Sequence, residues 1–66
     1  MNSTIKELGQ AIALDHINNG LVTCALDSDL FPADIKWACV QLGKKMNKSE
    51  EAQLLREYKI ALSDLL

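Results

Sequence analysis

Between Pro32 and Met46 the apolar residues recur on two sides of one helix, and a short chain has little room to bury both. At about 100° per residue, Ile35, Ala38, Cys39, Leu42 and Met46 form a tight stripe spaced i, i+3, i+4, i+7, i+11. Ala33, Val40 and Trp37, the single tryptophan, fall on the opposite side, beside Lys44. A surface helix needs one buried face. A second one requires a central place in the domain or another molecule to cover it.

The length sharpens that choice. Sixty-six residues make one domain, residues 1–66, and at this size only about 60% of the unfolded surface is buried on folding. Small domains gain stability from disulfides, a metal or association with another chain. Apolar residues make up 48% of the sequence, which argues for a folded chain. Nine acidic residues against seven basic ones leave a net charge of −2, so the whole chain has no electrostatic pull toward nucleic acid or an anionic membrane. Lys44, Lys45 and Lys48 form the one small basic cluster. The opening MNSTIKELGQ has no basic segment followed by an apolar run, and no stretch approaches the roughly 20 apolar residues of a membrane span. A cytoplasmic location is expected, with Cys24 and Cys39 reduced and structural.

The helix signals run the length of the chain. Thr4-Ile5-Lys6-Glu7 fits a capping box, with Ser3 an alternative cap. Ile5, Leu8, Ile12 and His16 share one face, Leu14 and Ile17 lie roughly opposite, and Asn18-Asn19-Gly20 is a stop. A first helix is expected over about 4–19. For 21–27 a short helix suits the all-helical context, although Val22 and Thr23 favour an extended chain. It closes at Asp27-Ser28-Asp29, residues that favour turns and caps. Pro32 fits the first turn of a helix over 32–46, with Leu30 and Phe31 placed to pack over its start and Gly43 inside its last turns. Ser49 followed by Glu50 and Glu51 reads as the cap of a last helix over 50–65. Its Leu54, Leu55, Tyr58, Ala61, Leu62, Leu65 and Leu66 occupy one arc, and Ile60 lies off it. The fold class is all-α, a compact three- to four-helix bundle.

Few residues suggest chemistry. His16 is the sole histidine, and with Cys24, Cys39 and Asp15 it matches no zinc spacing. It is expected to be partly buried and bonded to a carbonyl. Asp27-Ser28-Asp29-Leu30 ahead of a helix resembles, in part, the phosphopantetheine serine site of acyl carrier proteins. Asp29 stands where that family has leucine, and the long first loop is missing, so Ser28 reads as a turn residue. No cofactor, metal or catalytic residue is expected.

A helix-turn-helix pairing 21–27 with 32–46 is the alternative reading, a small DNA-binding regulator. Its turn is long and acidic, and its reading helix opens with Asp34, which phosphate repels. The preferred reading is a non-catalytic protein-interaction module that self-associates as a dimer, docks on a larger protein to regulate or inhibit it, or does both. The candidate partner-binding residues are Trp37, Val40 and Lys44, with Leu55, Leu62 and Leu65 as a possible seam spaced like a coiled coil. Nucleic acid and membrane are not expected partners.

Overall fold

Three helices carry the chain: α1 (Ile5–Asn18), α2 (Pro32–Leu42) and α3 (Lys48–Leu65). A computed structural model describes residues 4–22 and 28–66. Among these residues all regular structure is helical. The short helix expected over 21–27 is not seen at Leu21 and Val22, and its remainder, with Cys24, lies outside the described residues. No helix among the described residues is long and apolar enough to cross a membrane.

The first helix starts as its sequence implies. The Thr4 hydroxyl accepts from the Glu7 N–H at 3.2 Å and donates to the Glu7 carboxylate at 3.1 Å, closing the first turn. At the other end Asn19 caps, and Gly20 takes a φ of +68° just beyond it.

The second helix is shorter than its apolar stripe. Gly43, expected inside the helix, instead adopts a φ of +74° and ends it. Its N–H bonds Cys39 O at 2.9 Å, and the Lys44 N–H reaches back to the same oxygen at 3.2 Å. The left-handed glycine satisfies carbonyls that continuation to Met46 would have satisfied, and periodicity alone does not report that choice.

The third helix begins two residues earlier than expected, at Lys48, with Asn47 as its cap in place of Ser49. Asn47 Oδ1 accepts from the Glu50 N–H at 2.8 Å, while Glu50 Oε1 accepts from the Asn47 N–H at 3.2 Å. Ser49 has Ala52 three residues on and no return bond to offer, so the reciprocal pair prevails.

Packing is uneven. α1 and α3 form the main pair, and α2 lies more lightly against α1. Leu8, Ile12 and Ala13 of α1, Ala38 of α2, and Leu54, Tyr58, Ala61 and Leu62 of α3 make the core. Leu42 and Met46 pack against its edge. The Cα radius of gyration, 11.0 Å, is what a compact chain of this length has, about 11 Å.

Gly9 sets the closeness of the main pair. A Cβ there would lie 2.8 Å from Glu57 Cβ and 2.9 Å from the Tyr58 backbone nitrogen. Alanine normally gains about 1 kcal/mol over glycine inside a helix. Gly9→Ala is nevertheless expected to destabilise by about 1–3 kcal/mol, because the obstacle includes main chain and the helices must part. Urea titration checks this, and a stabilised variant would mean the two helices separate easily.

Candidate functional site

Each helix contributes one polar-tipped side chain to a single buried network. His16 of α1 is 1% exposed and Tyr58 of α3 is 0% exposed. His16 Nδ1 lies 2.7 Å from the Tyr58 hydroxyl, and Nε2 lies 3.0 Å from Asp34 Oδ2 in the first turn of α2. A carboxylate only accepts, which places a hydrogen on Nε2 and leaves Nδ1 to accept from the Tyr58 hydroxyl. Burial pushes the Tyr58 pKa above its ordinary value, a hydrogen bond from Ser28 works against this, and the Asp34 and Asp29 carboxylates add to the rise. Tyr58 therefore keeps its proton and remains a donor to the ring.

Asp34 holds the network to the start of α2. Its Oδ2 also accepts the Phe31 N–H at 2.9 Å, satisfying a backbone donor at the helix entrance. The Phe31 ring sits 5.2 Å from the imidazole, and Tyr58 meets the same ring edge-on at 5.2 Å. His16 is thus fully buried between two side chains, where the sequence reading expected partial burial and a backbone carbonyl. Three helices converge on it, so side chains supply both partners. Both ring nitrogens are occupied and the ring is closed to solvent, an arrangement suited to locking helices together. Among the described residues, no three His, Cys, Asp or Glu side chains gather to hold a metal ion.

The surface outside this network is where a second molecule can reach the chain. Trp37 is 42% exposed and Val40 71% exposed, one turn apart on α2. The helix with two apolar faces is therefore peripheral, and only its Ala38 side is buried. A groove of about 440 Å³ runs between α1 and α2, lined by Ala11, Ile12, Asp15, Asp34 and Trp37.

The other candidate residues separate. Lys44 forms an ion pair with Glu50 at 2.8 Å, which lowers the Glu50 pKa through that hydrogen bond and through one from the Asn47 backbone. It ties the end of α2 to the start of α3. Leu62 is fully buried and Leu55 packs against the core, while Leu65 is exposed, so the three do not form a surface seam. Leu62 joins the core that α1 and α3 share. Cys39 is half-buried with a free thiol.

The sequence reading did not join Asp34 and Tyr58 to His16. The available signal was one polar-tipped residue on or beside the core face of each helix, since buried polar groups must find partners. No family model matches this chain, and no curated protein or solved structure matches it either.

Proposed function

We propose that the chain is a small, non-catalytic, cytoplasmic interaction module that self-associates or docks on a larger protein to regulate or inhibit it. The observation that supports this most directly is the exposed Trp37–Val40 face of α2. The opposite face of that helix already supplies the core, so the indole and the valine gain burial only from another molecule. Tryptophan concentrates binding energy at such contacts, and the small core favours association. Duplex DNA is a poorer partner in this reading, because α2 opens with Asp34 and Lys44 is engaged by Glu50.

Sedimentation equilibrium tests the reading. The chain is expected to form a dimer at micromolar concentration, and Trp37→Ala to weaken it by about 2 kcal/mol or more, roughly thirtyfold, with helicity retained. A single 7.3 kDa species at the highest concentration would remove self-association. Loss of helicity in the Trp37→Ala chain would make the indole a support of the fold and overturn the reading.

A further inference from the structure

We infer that the groove between α1 and α2 receives an arginine side chain from an extended segment of a partner protein; this rests on the interaction reading above and specifies its chemistry. The lining combines an aromatic side chain, Trp37, with two carboxylates on different helices, Asp15 and Asp34, and includes no cationic side chain among the described residues. Asp15 accepts from Asn19 Nδ2 through Oδ1. Both hydrogen bonds to Asp34 fall on Oδ2. Each carboxylate therefore has one oxygen outside these hydrogen bonds.

A guanidinium fits this combination in charge and in shape. It is planar, stacks on an indole, and presents a fork of donors that can reach two carboxylates. A lysine ammonium would use the charge but not the flat aromatic surface. A divalent cation such as calcium seeks six or more oxygens, whereas Ala11, Ile12 and Trp37 are apolar walls. Free arginine would bring only its guanidinium to the groove, whereas the residues flanking an arginine in a peptide can also cover exposed apolar side chains of the same two helices, Leu14 on α1 and Val40 on α2. The occupant is accordingly a segment carrying one arginine between aliphatic residues.

Trp37, as the single tryptophan, reports binding by its own emission. The probe is the peptide Ala-Leu-Arg-Leu-Ala, acetylated and amidated, compared with the same peptide carrying uncharged citrulline for arginine. The arginine peptide is expected to give a saturable change in emission and the citrulline peptide to bind at least about tenfold more weakly. Asp15→Asn, at an exposed position outside the buried network, is expected to weaken the arginine peptide about fivefold or more without changing the circular dichroism. Added salt should also weaken it.

Equal binding of the two peptides, no saturation by the arginine peptide at millimolar concentration, or indifference to Asp15→Asn would each overturn the assignment. Dimerisation lost on Trp37→Ala but without peptide binding would leave the interaction reading standing and remove arginine from it. Peptide binding by a strictly monomeric chain would support the arginine site and remove self-association alone. The chain's one arginine, Arg56, provides the last check. If Arg56→Gln abolishes dimerisation and the peptide competes with it, the occupant is a second copy and the separate partner is overturned.

Discussion

Replacing Tyr58 with alanine is expected to unfold the protein at room temperature. The side chain is fully buried among Leu54, Ala61 and Leu62, and its hydroxyl holds His16. Removing a buried aromatic ring costs about 3–5 kcal/mol, and a core of this size supplies about 3–5 kcal/mol in total. Tyr58→Phe separates the two roles. It keeps the ring and leaves His16 Nδ1 without its donor, for an expected loss of about 1–3 kcal/mol in urea titration. A phenylalanine variant as stable as the parent would mean the hydroxyl does not hold the histidine.

The same residue carries a pH dependence. Its folded pKa lies above the ordinary 10.0, so the unfolded chain releases that proton first as pH rises. The associated stability is complete below pH 10 and is lost progressively above it, toward the folded pKa. Urea midpoints measured from about pH 9 to 11 should therefore fall, and fall less in Tyr58→Phe. Since Tyr58 is the only tyrosine, the difference between the two curves belongs to it.

Asp34→Ala is the second large effect expected, a loss of about 2–4 kcal/mol. One carboxylate oxygen accepts from both the Phe31 N–H and His16 Nε2. Its removal forfeits a helix-entry bond, about 0.5–2 kcal/mol, and orphans a donor on a buried ring, about 1–3 kcal/mol. Asp34→Asn retains an acceptor oxygen and should cost distinctly less, again by urea titration. Equal losses in the two variants would show that charge, more than hydrogen bonding, holds the entrance of α2.

Helical character and the facing of the first and last helices were legible from the chain because they are local. Thr4 with Glu7 marks an N-terminus through neighbouring backbone N–H groups, and Leu8, Ile12 and His16 share a face by helical spacing alone. The same reasoning found the arc of Leu54, Tyr58, Ala61 and Leu62, all now in the core. Local rules faltered where two signals competed within a few residues. Gly43, read as an interior glycine, proved a left-handed cap, and Asn47 took the helix start read for Ser49. At Asn47 the alternative satisfying more backbone groups prevailed, through its reciprocal bonds with Glu50.

What only the tertiary structure decided is which groups, distant in sequence, share a space. Periodicity puts His16 on the core face of its helix but is silent about α2 and α3, from which Asp34 and Tyr58 reach its two nitrogens. It shows that the segment after Pro32 has two apolar faces but not which of them is covered. That depended on the close approach of α1 and α3 at Gly9, which makes those helices the central pair and leaves α2 at the edge. The spacing of a chain's residues sets the direction of each side chain about its own helix axis, whereas burial depends on how closely another helix can approach.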